Sequence, residues 1–231
     1  MAPSLVQVRQ ATGSFSQALT APTTAGNCVV ACIFAYATTN VTISVPGVTL
    51  GGVNDNFGGL ASSQSAFAGG ATMFTSIWAD PGCSGGVITV AATVTNGTAG
   101  TIGGIVVMEW AGLATANVLD QSSTNNGTGT SWSSGSTPAT AYPAEAVIGA
   151  AMVNGNVTGP GSPWTDYLVG PSGNKPGAAG QMVTSATGAQ SFAGTQSASA
   201  VWAAAVVTLA PPPPPRPNLF LSQAVKRAAS W

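Results

Sequence analysis

Few side chains in this sequence can do chemistry, and the missing types narrow the choice further. The 231 residues contain no histidine, six acids and five bases. Ser84, in CSGG (83–86), stands in the local sequence of a nucleophilic serine. Such a serine needs a base to take its proton, and a chain without histidine lacks the usual one. Lys175 would be the remaining base, but it lies in the Gly/Pro loop PSGNKPG (171–177), where nothing lowers its pKa. The stretch DPGCSGG (80–86) therefore reads as a turn.

Two carboxylates facing across a groove could hydrolyse a glycoside. Glu109, between Met108 and Trp110, and Glu145, at the start of another apolar run, are the acids in the right surroundings. Strand alternation puts Glu109 on the face opposite Met108 and Trp110, which predicts that it points to solvent. NDN (54–56) offers oxygen ligands, but one Asp is too little charge for a calcium loop. Cys28 and Cys32 would lie about 13 Å apart in a strand, too far to bridge. With Cys83 they complete no zinc site and read as small buried hydrophobes in a reducing compartment. No catalytic residue, metal or cofactor is expected.

Six tryptophans remain. Trp78, Trp110 and Trp202 sit in strand-like runs and read as core. Trp132, in GTGTSWSSGS, and Trp164, in GSPWTDY with Tyr167, read as loop positions able to contact a ligand, a sugar being the chemistry that aromatic faces suit.

The elements that would position these residues are strands. VTISV (41–45), TMFTSIWA (72–79) and GVITVAATV (86–94) alternate apolar and small polar residues. CVVACIFAYA (28–37), IVVMEWA (105–111), AVIGAAMV (146–153) and VWAAAVVTLA (201–210) are continuous apolar runs of buried-strand length. Turn signals fall between them at TTN (38–40), NDNFGG (54–59), DPGCSGG, TNGTAG (95–100), TNNGTGT (124–130) and PSGNKPG. The pattern predicts an all-β antiparallel sandwich, jelly-roll-like. TTAGNCVVACI (23–33) echoes TAYPAEAVIGAA (140–151), and IVVMEWAG (105–112) echoes AAVVTLAP (204–211). The echo suggests two half-domains, each feeding strands to both sheets.

Charged residues make up 5% of the chain, against about 25% in an average soluble protein. Residues 1–210 hold two bases, Arg9 and Lys175, against all six acids, so no body patch could neutralise a row of phosphates. No nucleic acid is expected as partner. The longest apolar runs are half the length of a spanning helix, so no membrane insertion is expected either. The start, MAPSLVQVRQATG, lacks the layout of a secretory signal, which predicts synthesis in a cytoplasm and later release. So little charge gives weak protection against self-association, as suits an assembled subunit.

The division expected is a body over 1–209, a spacer over 210–217 and an arm over 218–231. Five prolines (211–215) favour a stiff polyproline rod, and eight residues of it would span roughly 25 Å. The arm carries Arg216, Lys226 and Arg227 within or beside it and no acid. If helical, it gathers Leu221, Ala224, Val225, Ala228 and Trp231 on one stripe, with Lys226 and Arg227 opposite. Leu219, Phe220, Leu221, Val225, Lys226, Arg227 and Trp231 are the expected docking residues, in a groove on a neighbouring subunit or on a copy of the same chain, the basic face suiting an acidic partner surface.

VQVRQATGSFSQALTAPTTAGNCVVA, IVVMEWAGLATANVLDQSSTNNGTGTSWSSG and SASAVWAAAVVTLA together resemble β-sandwich structural proteins of tailed phages infecting actinobacteria, over residues 4–210. The resemblance implies a virion component on the particle exterior, either a capsid decoration subunit or a minor tail protein that contacts the host surface or a glycan. Its partners would be the major capsid protein or tail subunits, with homo-oligomers expected and trimers common among such proteins. It implies no active-site residues.

Overall fold

The computed structural model describes residues 2–37, 42–52, 56–66, 72–95, 101–169 and 176–214. Among them are fourteen strands in three sheets and no helix, and every pairing between strands is antiparallel. The first sheet runs β1 (Ser4–Thr12), β8 (Thr101–Ala111), β3 (Cys28–Ala37), β6 (Thr72–Asp80), β5 (Gly58–Ala66). The second runs β9 (Leu119–Ser133), β14 (Ala193–Leu209), β10 (Ala146–Val153), β13 (Gly177–Val183), β12 (Thr165–Val169), with the short β11 (Val157–Thr158) pairing the start of β14. A small third sheet is β2 (Ser16–Ala18), β7 (Thr89–Thr95), β4 (Ser44–Leu50).

The architecture is an all-β antiparallel sandwich with an added layer. The first and second sheets enclose the main core of Val30, Phe34, Ile77, Met108, Trp110, Ile148 and Val207. The outer face of the first sheet, with Val29, Ala31, Ile33, Ile105 and Val107, is covered by Val48, Leu50 and Val90 of the small sheet. β3 is therefore apolar at every position because both its faces are covered, and the alternation of a half-exposed strand disappears. In β10 all eight residues are buried for the same reason.

The two halves of the chain do not exchange strands as expected. Residues 4–111 build the first and small sheets, and residues 119–209 build all of the second. Pairing within each half closes shorter loops, which costs less chain entropy than exchange between halves. The echo itself goes deeper than its sequence signal. Counting only the five strands of each large sheet in chain order, both sheets have the spatial order 1-5-2-4-3. Both carry the same β-bulge: Val6 is skipped between the pairs Leu5↔Trp110 and Gln7↔Glu109, and Asp120 between Leu119↔Leu209 and Gln121↔Thr208. The sheets stack with a pseudo-twofold relation, β1 against β12 and β5 against β9, while β3 meets its equivalent β10 near the middle.

Two local expectations also change. TNNGTGT (124–130) is no turn but the middle of the fifteen-residue β9, because β14, seventeen residues long, offers a partner along its length. The strand expected over VTISV begins at Ser44 and continues through Pro46 and Gly47, where a register shift accommodates the proline.

Candidate functional site

Glu109 lies on the face of β8 opposite Met108 and Trp110, as alternation requires, yet it is completely buried rather than solvent-facing. The segment leading from β2 to β3 covers that face. Glu109 Oε2 accepts from Gln7 Nε2 (2.6 Å), while Oε1 accepts from the Thr24 amide (2.8 Å) and Asn27 Nδ2 (2.7 Å). Gln7 is itself fixed, its Oε1 accepting from the amides of Thr20 and Ala21 and its Nε2 donating to the Ala21 carbonyl. A carboxylate so enclosed fastens the entry loop of β3 to the sheet.

The second half solves the same problem with the acid on the other partner. The pairs Val29↔Glu109 and Val147↔Thr208 place Glu109 and Thr208 at equivalent positions, and likewise Asn27 and Glu145. Glu145 Oε1 accepts from the Tyr142 amide, three residues before it, as Glu109 Oε1 accepts from Thr24, three before Asn27. Asp120, the bulged residue of β9, accepts from the Ala141 amide at 2.8 Å. Burial pushes the Glu145 pKa up, the Thr208 hydroxyl and Tyr142 amide offset part of this, and the adjacent Asp120 carboxyl adds to it. Glu109 and Glu145 thus belong to separate loop anchors, one in each half.

The tryptophan expectations divide. Trp110 (0% exposed) and Trp202 (7%) are core, and Trp78 is half-buried. Trp132, expected in a contact loop, is 1% exposed and belongs to β9, so it cannot serve as a surface platform. Its ring lies 5.1 Å from that of Phe192, and its indole donates to the Thr195 carbonyl. Trp164 meets Phe192 edge-on at 4.9 Å and remains partly exposed. This aromatic trio roofs the outer face of the second sheet. The sheet has glycines where Phe192 lands: a β-carbon at Gly149 would sit 2.1 Å from Phe192 Cγ, and one at Gly180 2.6 Å from Cε2. Tyr167, in β12, packs against the edge of the main core and lines a cleft with Val8, Arg9 and Gln17.

The three cysteines are buried free thiols, their pKa values pushed up first by burial, for Cys32 to about 12. Asp166 is also raised by burial, with the Gly161 amide partly offsetting it. Ser84 is exposed in the expected turn, and Lys175 lies outside the described residues. Among the described residues no three of His, Cys, Asp and Glu gather as metal ligands.

The docking residues Leu219, Phe220, Leu221, Val225, Lys226, Arg227 and Trp231 also lie outside the described residues. The base of the spacer is described. Ala210 is held on both sides, its amide donating to the Val118 carbonyl (2.8 Å) and its carbonyl accepting from Ala114 (3.0 Å). The chain then leaves the sandwich, and Pro212, Pro213 and Pro214 are exposed along a cleft formed with Ala2 and residues 142–144. Asp120 and Glu145 thus secure residues 141–145, which line the cleft beside the proline run.

Among the described residues a groove of about 460 Å³ opens on the first sheet, between the edge of the small sheet and β5, above the partly covered outer face of β6. Phe74, Ser76 and Trp78 alternate along its floor on β6, with residues 43–45 on one wall and 59–62 on the other. The period-two spacing in TMFTSIWA shows these three residues sharing a face, but no local signal says that the face is left open. No family model, curated protein or solved structure matches this chain.

Proposed function

We propose that this chain is a non-enzymatic structural subunit of a tailed-phage particle, an exterior capsid decoration protein made in the host cytoplasm and anchored by its C-terminal arm. The reading rests on the resemblance over residues 4–210 and on the near-absence of charged side chains from the body. One structural observation carries the anchoring part. The last strand is tied down through Ala210, and the next residues project as an exposed proline run from a hydrogen-bonded base. A proline run that starts from a fixed base has less conformational entropy to lose on docking than a free tether would. Glu109, Asp120 and Glu145 serve as loop anchors, which supports the non-enzymatic reading.

A minor tail protein is the second reading. The neutral groove over β5 and β6 favours it, since a tail component that touches the host surface needs a recognition site and a decoration subunit does not.

Copy number separates the two. Quantified against the major capsid protein in purified particles, a decoration subunit should approach the number of capsomers, and a handful of copies would refute that role. Deleting residues 211–231 should leave a folded, soluble body that no longer joins particles. Assembly of the truncated protein at full occupancy would refute anchoring by the arm.

A further inference from the structure

We infer that the groove over β5 and β6 is a binding site for a neutral sugar, with a pyranose ring stacked on Trp78. The inference concerns the folded body alone and holds whether the chain sits on a capsid or a tail.

The first argument is charge. None of the residues lining the groove is ionisable, so an anionic or cationic ligand would lose hydration without gaining a counter-charge. The lining selects for a neutral molecule by omission.

The second is the pairing of an aromatic with hydroxyls. Trp78 is half-buried, and its indole N–H is already committed to Ser76 Oγ at 3.2 Å. The ring therefore offers an apolar surface and no further donor. Its cross-strand neighbour is Gly59, where even a β-carbon would lie 3.4 Å from the ring. Any larger residue there would compete with a ligand for the indole. Ser44 and Ser62 stand exposed in the groove walls. A pyranose matches this arrangement, because its C–H face is apolar and its rim carries hydroxyls. A purely aliphatic ligand would bury the Ser62 hydroxyl without a partner, at a cost, whereas Ser44 already bonds Thr95 Oγ1 at 2.7 Å.

The third is the strand edge. β5 ends the first sheet, and its pairing with β6 shifts register between Gly59 and Ala61, beside Trp78. An edge strand has one row of backbone donors and acceptors without a neighbouring strand, and bulges redirect groups at such places. The volume of about 460 Å³ falls in the range of small-ligand sites and exceeds what one sugar ring needs.

The test uses the full chain and six probes: D-glucose, D-galactose, D-mannose, N-acetyl-D-glucosamine, cellobiose and maltose. At least one should bind by calorimetry and change tryptophan fluorescence, at concentrations that would saturate a Kd of about 1 mM. Trp78→Ala should weaken that binding at least tenfold. Because Trp78 also packs under the small sheet, Ser62→Leu provides a second variant that fills the groove from an exposed position and should abolish binding while leaving the melting temperature unchanged. Trp164→Ala should leave binding intact. Failure of all six sugars to bind, or binding that survives Ser62→Leu within twofold, overturns the proposal.

Discussion

Changing Glu109 to glutamine alters one atom and tests the loop anchor directly. The substitution keeps an oxygen for Thr24 and Asn27 but sets an NH2 group where Glu109 Oε2 accepts from Gln7 Nε2 at 2.6 Å, so that two donors face each other. Gln7 cannot turn over to help. Its oxygen is held by the amides of Thr20 and Ala21, and its nitrogen by the Ala21 carbonyl. A charge-assisted hydrogen bond is lost, and a buried donor is left unpaired, each costing about 1.5–3 and 1–3 kcal/mol respectively. The two overlap in one group, so the net expectation is about 2–4 kcal/mol, or a fall in melting temperature of roughly 5–15 °C for a chain of this size. Urea denaturation of the full chain, followed by tryptophan fluorescence, measures it. Glu109→Ala, which orphans Gln7, Thr24 and Asn27 together, should cost more. A Glu109→Gln loss below about 0.5 kcal/mol, typical of an ordinary surface site, would refute the reasoning. It would mean that solvent in the cleft beside Val6 and Pro22 replaces the lost acceptor.

Two further outcomes are expected. The Glu145 carboxyl has a raised pKa in the fold, so the folded body holds its proton more tightly than the unfolded chain does. Its stabilising effect is complete below the ordinary carboxylate range and is lost as pH rises through the folded value. Glu145→Gln should therefore raise the melting temperature at neutral pH and flatten its dependence between neutral and mildly acidic pH. An unchanged profile would contradict the upward shift that burial, with the nearby Asp120 carboxyl, imposes on Glu145. Gly149→Ala should destabilise by several kcal/mol through its clash with Phe192, and Phe192→Ala alone by about 3–5 kcal/mol. In the double variant the losses should fall well short of additive, and strict additivity in denaturant melts would show that the two do not meet.

The strand class and the core runs were legible because β3, β8, β10 and β14 are long, apolar and bounded by turn residues. The polar strand β9 was not, since Thr, Ser, Asn and Gly serve both turns and solvated strands, and only the presence of β14 beside it decides between them. For the same reason Trp132 looked like a loop residue: its neighbours face solvent while its own ring turns under Phe192. Alternation placed Glu109 on the right face of β8. What covers that face depends on residues some eighty positions away, which no local pattern records. The topological repeat was visible only as two pairs of similar runs, because a shared strand order constrains apolar spacing far more than residue identity.

The bulges at Val6 and Asp120, and an acid that sits on the strand in one half and on the loop side in the other, show one design repeated with its irregularities. A sheet of this order has an apolar inner face, and in this molecule the cover is a second sheet of the same order turned through a half rotation. The exposed residues Thr115, Ala116 and Asn117 lie in the short segment that joins the two halves. Around that common order the halves differ: the first carries the small sheet and the groove beside it, and the second ends at Ala210, where the proline run begins.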